Sequence, residues 1–185
     1  MALLVLSTVI ISISHHISWT LYTVSSSWSV AIFPEITAAM VRGTELEPVA
    51  REMYALNEFD AEITEVGLID HPTIPGFAAS PDGLVNGDGL IEIKCPNTWT
   101  HLETLKTGEP KRQYLLQMHA QMMCTGRKWC DFVSFDDRLP PDLAYFKKRI
   151  HFDEALANEI ESEVKKFLEE LEKEISSIKN HDHAA

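Results

Sequence analysis

Residues 78–96 read AASPDGLVNGDGLIEIKCP. Asn86-Gly87-Asp88-Gly89 is hairpin-turn chemistry between two apolar runs, so residues 76–85 and 90–95 are expected to pair as strands. The first is interrupted by the turn residues Ser80-Pro81-Asp82-Gly83, and Pro96 ends the second. Side chains alternate along a strand, which puts Glu92 and Lys94 on one face and Ile91 and Ile93 on the other. The isoleucines can face a core, leaving a carboxylate and an ammonium side by side opposite, and the turn folds Asp82 back toward Glu92. Two converging carboxylates suit Mg²⁺, which takes a few carboxylates and keeps several waters. A neighbouring lysine can orient water and offset charge in phosphoryl transfer, while the metal acidifies that water. A Lys–Asp or Lys–Glu ion pair on an exposed sheet face, worth about 0–1 kcal/mol, fits the same spacing. The pattern D-x(9)-E-x-K does not by itself choose between these readings.

Working outward, Thr44-Glu45-Leu46-Glu47 has the form of a capping box, with Leu46, Val49, Ala50 and Met53 at helical spacing behind it. Pro48 would fall in the first turn, and the helix should reach about Asn57. Residues 62–69 alternate as a strand before Pro72 and Pro75 break the chain. Residues 112–125 read as a helix capped by Gly126, and 129–135 and 144–152 as strands joined through Pro140-Pro141. From Asp153, Ile160, Val164, Leu168, Leu171, Ile175 and Ile178 recur three or four apart, an amphipathic helix over 153–179. The expected architecture is α/β (α+β), a central mixed β-sheet flanked by helices.

The 185 residues suit one domain, 39–180, preceded by an atypical apolar segment, 1–38, that holds no Lys or Arg. Its run ALLVLSTVIISI lacks the basic start of a signal peptide and is shorter than the about 20 residues of a membrane span. The chain is therefore expected to be cytoplasmic, with no membrane partner. Three cysteines are an odd number for a disulfide framework and one short of a four-thiolate cluster or zinc site. The net charge of -12 is unusual for a protein that handles nucleic acid, but half of it lies in residues 151–185, with ten acids and four lysines. Basic residues collect at Lys106, Lys111-Arg112, Arg127-Lys128 and Lys147-Lys148-Arg149, as a phosphate-binding groove or as ordinary solvated charges.

The order of strands and acids resembles the PD-(D/E)xK nuclease superfamily. Ser80-Pro81-Asp82-Gly83-Leu84 followed by Glu92-Ile93-Lys94-Cys95-Pro96 resembles, more closely, the lambda-exonuclease-like (YqaJ) viral recombinase family. Arg42-Gly43, Glu47 and Ala50-Arg51 match its first helix, and Tyr114, Gln117 and Gln121 its later one, so the resemblance spans about residues 39–178. It implies a restriction-endonuclease-like core and a Mg²⁺-dependent exonuclease, with Mn²⁺ as substitute, that digests double-stranded DNA ends from 5′ to 3′ in phage-type recombination. The catalytic set would be Asp82, Glu92, Lys94 and Gln117. Metal ligands would be Glu47, Asp82, Glu92 and the Ile93 backbone carbonyl, and Ser80, Arg51, Tyr114 and Gln121 would meet DNA or its 5′-phosphate. A single-strand annealing protein and a homotrimer are the implied partners, in a bacterial host carrying phage or prophage. The family's N-terminal R-x-T-A-S-like motif has no counterpart in residues 1–38. An endonuclease that cuts internally, or a non-catalytic DNA-binding or assembly protein, are the alternatives. Trp99 and His101 are expected on a loop after the metal-site strand, and His119 in helix packing.

Overall fold

The computed structural model describes residues 12–14, 18–20 and 38–182. Two short strands, Ser12–Ser14 (β1) and Ser18–Thr20 (β2), pair antiparallel. The rest of the apolar segment, with His15-His16 and Ser25-Ser26-Ser27, lies outside the described residues.

Helix α1 spans Ala38–Asn57 and starts earlier than the capping box implies. Thr44 and Glu47 lie within the helix because Ala38, Ala39 and Met40 before them are themselves strong helix formers. Pro48 is consequently an interior residue and removes one N–H from the helical ladder. The end at Asn57 agrees with the expectation.

The single strand expected over 62–69 is two strands. Ile63–Thr64 (β3) pairs antiparallel with Gly83–Val85 (β6), while Ile69–Asp70 (β4) pairs with Ala78–Ala79 (β5). Both ladders keep one register, Ile63 opposite Val85 and Ile69 opposite Ala79. The gap between them falls where Ser80-Pro81-Asp82 leaves the sheet: Pro81 has no N–H to give a ladder, and Gly67 weakens the facing strand.

β6 turns through Asn86, at φ 50, into Gly89–Lys94 (β7). β7 then pairs in parallel with Trp129–Phe135 (β8), and β8 antiparallel with Tyr145–His151 (β9). The result is a mixed five-stranded sheet in the order β3-β6-β7-β8-β9. The parallel pair requires a crossover, which carries helices α2 (Thr98–Thr107) and α3 (Arg112–Thr125). α3 and its left-handed Gly126 cap are as expected, whereas α2 replaces the expected loop. Its WTHLETLKT sequence is rich in threonine and weak in helix propensity, so the ends define it. Asn97 Oδ1 accepts from Thr100 N at 2.9 Å, and Gly108 closes the other end at φ 67.

Short α4 (Pro141–Ala144) occupies the proline loop, and α5 runs over Glu154–Asp182. Asp153 caps α5, its Oδ1 accepting from Ala155 N at 2.9 Å. Ile160 and Val164 of α5 are buried with Ala120 and Cys124 of α3 and with Ile74 and Phe77. One sheet face packs Ile91, Ile93 and Val133 on Ala50 and Tyr54 of α1. The other packs Leu90, Cys130 and Phe132 on Met118 and Met122 of α3. His119 joins this packing: its Nδ1 lies 2.7 Å from Leu115 O, and Asp153 N donates to its Nε2 at 3.2 Å. Cys95, Cys124 and Cys130 are free thiols. Among the described residues no helix is long and apolar enough to cross a membrane.

Gly89 lies opposite Trp129 in the parallel ladder, and a Cβ there would meet the indole ring at 2.1 Å. The ring cannot readily yield: its Nε1 donates to Asp88 Oδ1 at 3.1 Å, and Arg149 stacks on it at 3.6 Å. Gly89→Ala should destabilise the fold by about 1–3 kcal/mol, the usual cost of overpacking, measured by denaturant unfolding.

Candidate active site

The site forms where β6 stops and β7 continues. In the extended register Pro81 would stand opposite Ile93 but has no N–H to exchange. The chain leaves the ladder there, and the Ile93 N–H is met by a side chain rather than by a backbone carbonyl: Ile93 N donates to Asp82 Oδ2 at 2.6 Å. In a strand the N–H and C=O of one residue leave on the same edge, so the Ile93 carbonyl is directed toward Asp82 too.

Glu92 sits on the face of β7 that packs against α3 and is fully buried. This rules out an ion pair on an exposed sheet face. Lys94, two residues on, forms an ion pair with Glu92 Oε1 while its side chain stays 26% exposed. Oε1 is nevertheless buried without a directed hydrogen bond. On the other side Gln121 Nε2 donates to Glu92 Oε2 at 2.6 Å and reaches Ser80 O at 3.3 Å. Tyr114 stacks on Phe132 and lies beneath the Lys94 ammonium, 5.4 Å from ring centroid to Nζ.

Burial first, then the adjacent Glu92 charge, pushes the Asp82 carboxyl well above the usual carboxylate range. Burial alone would lower the Lys94 ammonium, but the Glu92 and Asp82 carboxylates outweigh it and hold Lys94 above its ordinary value. Lys94 therefore stays a cation at neutral pH. The fully buried Glu92 carboxylate and the half-buried Asp82 carboxylate share this one ammonium, and Glu92 Oε1 has no directed hydrogen bond. Such a donor set fits a hard divalent cation that takes few protein ligands.

Glu47, from α1, is drawn to Arg51 at 2.6 Å. Arg51 also donates to Asp82 O at 3.1 Å and pairs with Glu65 at 3.2 Å. Arg51 is thus a brace between α1 and the Asp82 turn, while Ser80 is exposed and offers its carbonyl inward. Among the described residues no group of three or more His, Cys, Asp or Glu side chains converges as a preformed cation cage. Gln117 is half-buried one turn before Gln121. The structure therefore brings Asp82, Glu92, Lys94 and Gln121 together and puts Gln121, rather than Gln117, against the carboxylate. The i, i+4 spacing places both glutamines on one helix face, and only the docking of α3 on β7 distinguishes them.

His101, expected on a loop, is buried in α2, with Nδ1 2.7 Å from Ser134 Oγ and Nε2 2.8 Å from Leu143 O. It ties α2 to β8. Trp99 is exposed, with Lys106 over its ring at 5.5 Å. Most of the basic clusters are paired within the chain: Lys111 with Glu103, Arg112 with Glu159, Lys147 with Glu58, Lys148 with Glu109 and Arg149 with Asp131. Arg127 donates to the carbonyls of Val85, Asn86 and Gly89.

The YqaJ-like viral recombinase domain matches residues 10–128, reaching further toward the N-terminus than the motifs at 39–178 and stopping before β8. The crystal structure of an alkaline exonuclease, LHK-Exo, from Laribacter hongkongensis is 66% identical, with 79% of this chain and 75% of that chain covered and a TM-score of 0.76. The same exonuclease in complex with dAMP matches at 65% identity, 80% and 75% coverage, and a TM-score of 0.77. A phage related exonuclease from Haemophilus somnus 129PT, at 17% identity, 77% coverage of each chain and a TM-score of 0.59, shares the fold. No curated protein matches the chain.

The raised Asp82 value has a stability consequence whose sign is the reverse of the usual salt-bridged carboxylate. The folded state binds this proton more tightly than the unfolded state. The contribution is fully present below the unfolded value, near 3.8, and is lost as pH rises through the folded one. Asp82→Asn should therefore raise the thermal midpoint of the cation-free protein at pH 7, and the gain should shrink toward pH 4.

Proposed function

The chain belongs to the YqaJ-like viral recombinase domain family, and from that premise we propose that it is a DNA exonuclease that uses a divalent cation to hydrolyse phosphodiester bonds. The finer reading is digestion of double-stranded DNA from the 5′ end in phage-type recombination, with Mg²⁺ as the working ion and Mn²⁺ as a substitute. One observation supports it: the half-buried Asp82 and fully buried Glu92 carboxylates lie beside a single charged lysine, in a chain 66% identical to an exonuclease.

Asp82 and Glu92 would hold the cation, with the Ile93 carbonyl directed to the same edge and Glu47 one guanidinium away as a further acidic group. A divalent ion there supplies Lewis acidity, polarising a phosphoryl oxygen and lowering the pKa of water. Lys94 keeps its charge because two carboxylates face it, so it acts as an electrostatic partner and hydrogen-bond donor to the reacting phosphate or water. It does not act as a base. Its position against Glu92 Oε1 keeps that donor beside the developing negative charge, where a preorganised cation is most effective. Tyr114 packs beneath the ammonium and limits its rotamers. Ser80, exposed at the rim, would meet a terminal phosphate, whereas Arg51, bonded to Glu47 and to the Asp82 carbonyl, would serve the fold more than the substrate. A homotrimer and a single-strand annealing protein complete the proposed assembly, and a sedimentation profile showing only monomer at micromolar concentration would remove the trimer.

The deciding experiment digests end-labelled linear duplex, with and without a 5′-phosphate, beside closed circular plasmid. Nucleotides should be released from the labelled 5′ end only with Mg²⁺ or Mn²⁺, and the plasmid should stay intact. Lys94→Ala should lower the rate by about a hundredfold to a thousandfold, as for loss of one group that stabilises transition-state charge. Cleavage of the circle would favour the endonuclease reading, and wild-type protein inert on both substrates would leave a DNA-binding or assembly role.

A further inference from the structure

Gln121 is a buried side chain whose amide is fixed by its neighbours. Both atoms around its Nε2, Glu92 Oε2 at 2.6 Å and Ser80 O at 3.3 Å, are acceptors. Only the NH₂ end of the amide can serve them, so the orientation of the group is settled by chemistry. Its Oε1 is then buried without a hydrogen-bond partner. Side chain and carboxylate are both almost wholly buried, at 1% and 0% exposure, where water cannot replace a lost bond.

The two contacts join three parts of the chain: α3, the face of β7, and the turn that delivers Asp82. Ser80 lies two residues before Asp82, and Asp82 is itself bonded to Ile93 beside Glu92. Gln121 therefore fixes the orientation of one carboxylate and the approach of the segment bearing the other. Lys94 pairs with Oε1, and rotation of the carboxylate about its own axis would exchange its two oxygens. The Gln121 bond to Oε2 removes that freedom and leaves Oε1 turned toward Lys94.

We infer that Gln121 is a positioning residue that sets the divalent-cation affinity of the site by holding the Glu92 carboxylate and the Ser80–Asp82 turn in one relative arrangement. This rests on the metal-dependent reading above. Outer groups that orient metal ligands characteristically change affinity by about tenfold to a hundredfold when removed.

The test measures Mn²⁺ binding to the DNA-free protein, by the electron paramagnetic resonance signal of free Mn²⁺, alongside steady-state digestion of linear duplex. Gln121→Met keeps a flexible side chain of similar length and removes both bonds. Gln121→Asn keeps the amide but shortens its reach. The Met variant should weaken Mn²⁺ binding by about tenfold to a hundredfold, with Asn intermediate. At saturating cation the KM for duplex should stay at its wild-type value. A purely structural role would lower the cation-free unfolding midpoint and leave Mn²⁺ affinity unchanged in the folded protein, and that result overturns the inference. If the Met variant fails to fold, wild-type affinity in the Asn variant overturns it equally. Wild-type protein that binds no Mn²⁺ would overturn the metal-dependent reading as well, whereas wild-type affinity in both variants overturns only the role of Gln121.

Discussion

The bond from Ile93 N to Asp82 Oδ2 is the constraint on which the site depends. Pro81 has no N–H to give the Ile93 carbonyl, so the ladder ends there, and the Ile93 N–H, parted from a backbone acceptor, needs another. The next side chain in the sequence supplies it. That substitution of a carboxylate for a ladder carbonyl places Asp82 at the sheet edge, beside Glu92. The interruption of the β3-β6 and β4-β5 ladders at this point follows from the same segment. The Pro81-Asp82 pair thus ends a ladder and opens a site in one step.

Around that point the electrostatics form an ordered set of compromises. Two carboxylates are brought together in a buried place, which burial and mutual repulsion oppose. Lys94 answers part of the charge and Gln121 part of the hydrogen bonding. Among the described residues the other buried acids are matched. Asp131 accepts from Tyr54 and twice from Arg149, and Asp136 accepts from Arg138 and Arg42. The contrast marks the Asp82–Glu92 pair as a place where the fold tolerates imperfect pairing, as functional sites characteristically do. It also explains where many of the basic residues went, since several are consumed in holding other acids and carbonyls.

Much of this was legible in the sequence because it is local. The NGDG turn, the alternation of Leu90-Ile91-Glu92-Ile93-Lys94 and the Gly126 cap each depend on neighbouring residues. What was not legible depends on tertiary context. α2 has threonines where helices prefer other residues, and it is held by its Asn97 cap and the buried His101. The capping box at Thr44 is locally valid but is overridden by a helix that begins six residues earlier. The choice between Gln117 and Gln121 is a matter of how α3 lies on β7, and no spacing rule contains it.

The parallel pairing of β7 with β8 has a consequence for the order in which the molecule can assemble. Asp82 and Glu92 are ten positions apart across a tight hairpin, so their approach closes a short loop at small entropic cost. Gln121 arrives only with the crossover that β8 completes, a contact of far greater sequence separation and the slower kind to form. In the growing structure the two acids can meet while still hydrated, and the repulsion between them is felt in full only when α3 docks and expels the water. The cost of the site is thereby deferred to the step that also brings the burial of Leu90, Met118, Met122 and Phe132, when the chain has the most apolar surface to set against it.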